Sequence, residues 1–320
     1  MRGLDSRLNA IWYEGAPVPL PLRILARIYE AAIGWRSLVN PAPLPVPVLV
    51  VGNFTAGGTG KTPVIIALVE HLKAAGHAPG VVSRGYGRSA TAPVSVDKQG
   101  LAAMTGDEPL LISRRCDVPV RVDKDRRRAA EFLAGSGCTV IVSDDGLQHR
   151  GLPRTMEIEI IDATRGYGNG LMLPAGPLRE RPRKVDLRIC NGKGLDDSSA
   201  FGMQLVPGRC HNLVTDEVRP LSDFEGTKVH ALAGIGNPER FFGMLRRSGL
   251  QVQGHAFPDH HRFKPADLPL GPVLMTEKDA VKIIPVGRQD LWAVAVDAVL
   301  SPAFYAQFSR LLAADGDHHA

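Results

Sequence analysis

Residues 51–72, VGNFTAGGTGKTPVIIALVEHL, pass from an apolar strand pattern through a glycine-rich turn and a Lys-Thr pair into a helical pattern. Phosphate-binding loops of the form G-x-x-x-x-G-K-[ST] need that order, because the turn aims backbone amides inward and the helix behind it presents its positive end to the anion. Gly60, Lys61 and Thr62 fit the motif, while Thr55 stands where its first glycine belongs. Gly57 and Gly58 still supply the permissive backbone. The segment Thr55, Ala56, Gly57, Gly58, Thr59, Gly60, Lys61 and Thr62 is therefore expected to bind a nucleotide. Lys61 would neutralise β- and γ-phosphate charge and Thr62 would ligate Mg²⁺. Pro63 suits the first helical turn, where no amide donor is missed.

Working outward, apolar β-rich runs alternate with helical ones. VLVVGNF is followed by the helix through Pro63, GVVSRG by a helix near Pro109–Arg115, and VPVRV by DRRRAAEFLAG and then TVIVSDDG. EIEIID and VDLRIC are further strand candidates. Such alternation predicts an α/β fold with a mostly parallel sheet and flanking helices. Residues 192–226 show little periodicity and several turn formers, which places a domain junction near 210–226. A second, smaller α/β lobe then follows through KVHALAG, a helix over 238–248, LQVQGHAF, a helical TEKDAVKII and the strand LWAVAVD. The division expected is 1–215 for the phosphate-loop domain and 216–320 for the second lobe.

TVIVSDDG is a strand ending in two carboxylates, the arrangement by which Asp144 and Asp145 would reach the metal's shell from beside the loop; a turn-capping role is the plain alternative. AGGTGKT also resembles the loops of partitioning and metal-delivery switch ATPases, whose motif carries an extra lysine where Ala56 stands here.

The 320 residues carry 38 basic and 33 acidic side chains, a formal charge of +5 that suits anionic partners. No RNP-like aromatic pattern, zinc-finger spacing or long basic run is present, so nucleic acid is not an expected partner. Cys116, Cys138, Cys190 and Cys210 are too widely spaced for a structural zinc site or a disulfide framework, which suits a reducing cytoplasm. No signal-peptide pattern and no run of about 18 uncharged apolar residues occurs, so neither export nor a membrane span is expected. Before the phosphate loop, however, Ile24, Leu25, Ile28, Ala31, Ala32, Trp35 and Leu38 share one helical face, with Arg23, Arg27, Glu30 and Ser37 on the other. This amphipathic helix, about 20–40, either packs on the core or lies in a membrane interface.

Taken together with the loop, SRGYGR (83–88), GDEPLL (106–111), SDDGLQHR (143–150), RGYGNGLMLPAGPLRE (165–180), GIGNPERFF (234–242), FPDHHRF (257–263) and MTEKDAVK (275–282) resemble the tetraacyldisaccharide 4'-kinase family. The blocks stand in family order and cover most of the chain. The resemblance implies a P-loop NTPase-like kinase of two α/β/α lobes with its active site in a cleft, using ATP and Mg²⁺. It implies transfer of the γ-phosphate to the 4'-hydroxyl of a lipid A disaccharide precursor at the cytoplasmic face of the inner membrane, as a peripheral protein; a monomer is expected. Extracting even one long acyl chain from a bilayer costs about 10 kcal/mol, so the resemblance favours the interfacial reading of the first helix.

The same resemblance implies Asp107 as the general base that takes the acceptor's proton, with His261 as the expected aligning partner and His260 as the alternative. It implies Glu108 as a contributor to metal binding. Without it, Asp107 and Glu108 read as helix-start acids, and His255, Asp259, His260 and His261 as a turn or a metal cluster. Gln148 and His149 are expected near the nucleotide or the sugar. Arg84, Tyr86 and Arg88, on a glycine-rich loop after a strand, are expected at the sheet edge where α/β folds bind ligands. Arg165, Asn169 and Arg179 are further candidates to hold the acceptor's 1-phosphate. Gly234–Asn237, Lys278 and Asp279 are weaker candidates for the same cleft.

Overall fold

The computed structural model describes residues 2–34, 41–192, 199–284 and 287–316. Two helices come first, α1 (Arg2–Tyr13) and α2 (Leu20–Gly34). Trp35, Ser37 and Leu38 of the amphipathic pattern lie outside the described residues. Strand β1 (Val48–Gly52) is buried at every position and runs into the glycine loop, and α3 (Lys61–Ala74) begins at the lysine itself. Next come β2 (Pro79–Ser83), β3 (Val94–Ser95), α4 (Ala102–Thr105), α5 (Asp107–Cys116), β4 (Val120–Val122), α6 (Arg126–Gly135) and β5 (Val140–Asp144). The chain continues through β6 (Met156–Asp162), β7 (Leu187–Asn191), β8 (Ala200–Asn212) and β9 (Val218–Arg219). It ends with β10 (Lys228–Ala233), α7 (Pro238–Arg247), β11 (Gln251–Ala256), β12 (Val273–Thr276), α8 (Glu277–Ala280), β13 (Leu291–Leu300) and α9 (Pro302–Gly316).

The chain folds into two compact units that interleave in sequence. The first holds the residues up to Lys61, Ala134–Gln204 and the segment from Leu300; the second holds Thr62–Leu133 and Leu205–Val299. In the first unit β5, β1, β6, β7 and the start of β8 lie side by side, all parallel, with Val50 opposite Ser143, Val51 opposite Ile158, and Ile160 opposite Ile189. Strands covered on both faces read as unbroken apolar runs, which is why VLVV and VIV carry no polar alternation. The carboxyl ends of β1 and β5, where such sheets bind ligands, carry the phosphate loop and the Asp144–Asp145 turn.

In the second unit β2 pairs parallel to β4, and β3 caps β4 antiparallel. A separate parallel set runs β11, β10, β12, β13. Its core gathers Phe241, Phe242 and Leu245 of α7 with Val229, Leu274, Trp292 and Val294. Asn237 caps α7 by accepting from the Arg240 amide, and Pro238 sits at its first position.

Three features depart from the sequence reading. Strand β8 runs for 13 residues through the segment read as irregular, because Pro207 and two glycines interrupt its pattern and few of its residues are buried. The helical TEKDAVKII contributes only the four-residue α8. Helix α1, strand β12 and helix α9 had no counterpart in the periodicity.

Candidate active site

In the first unit the loop turns at Gly57 (φ 109°) and Gly60 (φ 93°), conformations that L side chains rarely adopt. The Ala56 amide donates to Pro177 O at 2.7 Å, and the Asn53 side-chain amide donates to Thr55 O at 2.7 Å. These bonds fix the loop's first half. Thr59 is buried at 4% exposure, yet its hydroxyl has no hydrogen-bond partner among the described residues, a cost of about 1–3 kcal/mol unless a ligand answers it.

Lys61 Nζ donates to Asn53 Oδ1 at 3.0 Å and lies 3.6 Å from Asp145. Arg179 grips the same Asp145 with both fork nitrogens, at 2.7 and 2.8 Å, and donates to Asn53 Oδ1 at 2.6 Å. Burial works against the Arg179 charge, but the Asp145 hydrogen bonds outweigh it and hold the guanidinium above its ordinary pKa. Two cations thus share one charged and one neutral acceptor beside the loop. With the Thr59 hydroxyl and the start of α3, that environment fits a polyphosphate.

Asp145 adopts φ 50°, a left-handed conformation rare outside glycine, and Asp144 is buried at the end of β5. A Cβ on the next residue, Gly146, would meet Ser143 Oγ at 2.5 Å and Val50 at 2.8 Å, so the turn after the paired aspartates needs a glycine. Gln148 Nε2 donates to Asn53 O at 3.0 Å, while the His149 carbonyl accepts from Arg154 at 2.6 Å. The Arg165 guanidinium lies above the Tyr13 ring and 3.6 Å from the point where a Gly57 Cβ would stand, at the rim of the loop. Asn169 is engaged with protein: its Nδ2 donates to Ile11 O and Ala175 O, and its Oδ1 accepts from the Leu171 amide.

In the second unit Asp107 opens α5 and is buried at 9% exposure. It follows Gly106 (φ 96°), whose Cβ would stand 3.1 Å from the Gly85 Cα. Gly85 (φ 68°) is equally confined, since a Cβ there would meet Thr105 O at 2.7 Å and overlap Val122. These paired glycines seat the SRGYGR loop against the start of α5. Arg84 and Tyr86 are exposed, and Arg88 Nη1 donates to Ala92 O at 2.8 Å. The Tyr86 ring centroid is 5.0 Å from that of His260.

It is His260 that meets Asp107: Nδ1 lies 2.9 Å from Asp107 Oδ2. His261, the expected partner, instead lies 3.0 Å from Asp267 and stacks on Phe257 at 4.7 Å. The left-handed backbone at His260 (φ 59°) turns neighbouring rings to opposite sides. Glu108 pairs with Lys278 at 3.0 Å. The metal cluster weighed for this stretch does not assemble, for His255 faces His230, Asp259 faces Lys278, and the two histidines face different aspartates. Among the described residues no group of three or more His, Cys, Asp or Glu could hold a metal ion.

Sequence reasoning missed Asn53 and Lys282. Lys282 Nζ stands 2.6 Å from Asp279 and 4.0 Å from Asp107. Asp279 has no exposure and also accepts from the Gly234 amide at 2.9 Å, so Gly234 and Asp279, two of the weaker candidates, belong to the scaffold behind Asp107. In the second unit a buried carboxylate with an aligned imidazole can take a proton from an alcohol; in the first, a lysine-bearing glycine loop can hold a phosphate.

Comparison with known proteins gives one picture. The family model LpxK, Tetraacyldisaccharide-1-P 4'-kinase, matches residues 18–313. The chain is 49% identical to a tetraacyldisaccharide 4'-kinase of Stenotrophomonas maltophilia, covering 95% of this chain and 96% of the relative. It is 47% identical to one from Xanthomonas euvesicatoria over 94% of each. Among solved structures, LpxK from Aquifex aeolicus in complex with ATP matches with a TM-score of 0.75 at 27% identity, covering 90% of this chain and 97% of that one.

Proposed function

Because the chain belongs to the tetraacyldisaccharide 4'-kinase family, we propose that its own residues carry out the family's reaction: transfer of the ATP γ-phosphate to the 4'-hydroxyl of a tetraacylated disaccharide 1-phosphate, in lipid A synthesis. The protein is an ATP-dependent kinase with a P-loop NTPase-like fold. The switch-ATPase alternative is not favoured.

Lys61, Thr59 and the loop amides from Gly57 to Thr62 bind the β- and γ-phosphates, while the Ala56 amide is spent on Pro177 O and Thr55 and Ala56 shape the turn. Thr62, Asp144 and Asp145 would hold Mg²⁺, which would supply charge neutralisation at the transferring phosphate; Glu108, the further candidate, is engaged by Lys278. Asp107 takes the proton of the 4'-hydroxyl, and His260 aligns it and shares the proton. Arg84, Tyr86, Arg88, Gln148, His149 and Arg165 are the groups assigned to the acceptor, the arginines to its 1-phosphate; Arg179, spent on Asp145 and Asn53, stays with the phosphate loop, and Asn169 supports the segment that carries Arg165 and Arg179. As a division of labour, the phosphate loop and the base are assigned to residues 1–215 and the histidine that aligns the base to 216–320, a division that differs from the two interleaved compact units.

No helix among the described residues is long and apolar enough to cross a membrane. Leu20, Ile24, Leu25 and Ile28 of α2 are each more than half exposed, while Tyr29 on the other side donates to Arg179 O at 3.1 Å and Glu30 pairs with Arg181. This geometry supports peripheral attachment, the apolar face of α2 entering the cytoplasmic leaflet of the inner membrane where the acceptor's acyl chains lie. A monomer suffices for it.

The observation that carries the transferase reading is the Asp107–His260 contact, which a nucleotide switch has no use for. Labelled ATP and the lipid acceptor in detergent micelles test it. Asp107→Ala should lower kcat at least about 100-fold and leave ATP affinity intact; full turnover by that variant overturns the assignment.

A further inference from the structure

Lys278 Nζ stands 3.0 Å from Glu108 Oε1 and 3.2 Å from Asp259 Oδ1, and its side chain is only 18% exposed. Both carboxylates adjoin the Asp107–His260 pair in sequence. The contacts close a ring: Asp107 to His260 through space, His260 to Asp259 along the chain, Asp259 to Lys278, Lys278 to Glu108, and Glu108 back to Asp107 along α5. Asp259 Oδ1 also accepts from the His260 amide at 3.0 Å, which ties the lysine's partner to the residue whose backbone is strained.

The lysine itself is held rigidly. It lies on α8, where the Thr276 hydroxyl donates to the buried Asp279 at 2.7 Å and the Asp279 amide donates back to Thr276 at 3.2 Å. Its neighbour Glu277 pairs at 2.7 Å with Arg115, in the last turn of α5, and Arg115 also reaches Asp297 at 2.5 Å. So α8 grips α5 at both ends, its cation on the acidic first turn and its anion on the basic last turn; those α5 acids and bases stand at the ends where the dipole of their own helix favours them. A lysine suits the first contact because three rotatable donors can serve two carboxylates that share no plane. Burial disfavours its charge, but Glu108 and Asp259 outweigh that and raise its pKa above the ordinary value.

We propose that Lys278 is a positioning residue, which keeps His260 against Asp107 by bridging Glu108 and Asp259. The proposal rests on the reading of Asp107 and His260 as the proton-transferring pair. A misplacement of about 1 Å in such a pair costs on the order of 100-fold in rate.

The test uses the full chain with Mg-ATP and tetraacyldisaccharide 1-phosphate in detergent micelles. Lys278→Met should lower kcat about 10- to 100-fold with KM for ATP unchanged, and Lys278→Arg should recover most of the rate. Asp259→Asn, which keeps shape and removes charge, should reproduce the kcat-selective loss and stands in should Lys278→Met fail to fold. On a His260→Ala background Lys278→Met should cost nothing further, whereas a merely structural role would repeat its loss. Wild-type kcat in Lys278→Met and Asp259→Asn, or an undiminished loss on the His260→Ala background, overturns the proposal. If His260→Ala collapses while both other variants turn over normally, this inference alone fails; if His260→Ala is itself unaffected, the reading of the pair fails with it.

Discussion

Asn53 Oδ1 accepts a hydrogen bond from Lys61 Nζ at 3.0 Å. The same oxygen serves Arg179, and the Asn53 amide holds Thr55 O, so one side chain at 1% exposure joins the loop, the lysine and the arginine. An amide is the right chemistry there. It orients two cations without cancelling the charge that a phosphate must meet. Asn53→Ala should weaken ATP binding about tenfold, or about 1.4 kcal/mol. Asn53→Asp, nearly the same shape, should weaken it further by sequestering Lys61. Calorimetric titration with ATP checks both; wild-type affinity in both would remove Asn53 from the site.

The two adjacent histidines make a sharper contrast. His260 lies 2.9 Å from Asp107, whereas His261 is spent on Asp267 and the Phe257 ring. His260→Ala should reduce kcat by about 100-fold or more. His261→Ala should chiefly lower the melting temperature, by loosening the turn. Steady-state kinetics and thermal melts on the two variants separate the roles, and the opposite pattern would return His261 to the base.

Local chemistry explains what the sequence disclosed. The phosphate loop is legible because its glycines, Lys61 and Thr62 are consecutive, and the buried parallel strands around it are unbroken apolar runs. The partner of Asp107 is not legible, since it lies 153 residues away and its choice between two neighbouring rings depends on a left-handed backbone at His260. Asn53 reads in one dimension as a turn residue after a strand, and only the fold brings Lys61 and Arg179 to it. Strand β8 is hidden by Pro207 and its glycines, because pairing rather than burial sustains it. In TEKDAVK the residues were visible but their tasks were not, for each partner comes from a different segment.

Helix α2 allows a direct test of membrane attachment. Ile24 and Ile28 stand one turn apart on its outward face, 53% and 61% exposed, so polar replacements there remove little protein packing. Ile24→Ser with Ile28→Ser should lower binding to anionic phospholipid vesicles at least about tenfold while leaving the melting temperature unchanged; each fully buried isoleucine is worth about 1.5–3 kcal/mol. Co-sedimentation with vesicles measures it. Equal binding by the double variant would remove α2 as the attachment surface.

Glu157 sets an acid limit on the first unit. Its carboxylate, 12% exposed, is held by Arg183 and by Arg154, whose Nη1 lies 2.5 Å away and whose Nη2 donates to the His149 carbonyl. Burial pushes the Glu157 pKa up, but the hydrogen bonds and charges of Arg183 and Arg154 prevail and hold it below the ordinary carboxylate value of 4.5. A group whose pKa is lower in the folded state contributes its full stability above its unfolded pKa and loses it as pH falls through the folded one. At pH 7 Glu157→Gln should therefore cost about 2 kcal/mol, the scale of charge-assisted hydrogen bonds. The gap between wild type and variant should narrow once the pH drops below about 4.3, where the unfolded carboxylate takes up its proton. Urea unfolding of both proteins across that range measures the gap, and a difference that stays constant with pH would show that the arginines stabilise Glu157 by packing rather than by charge.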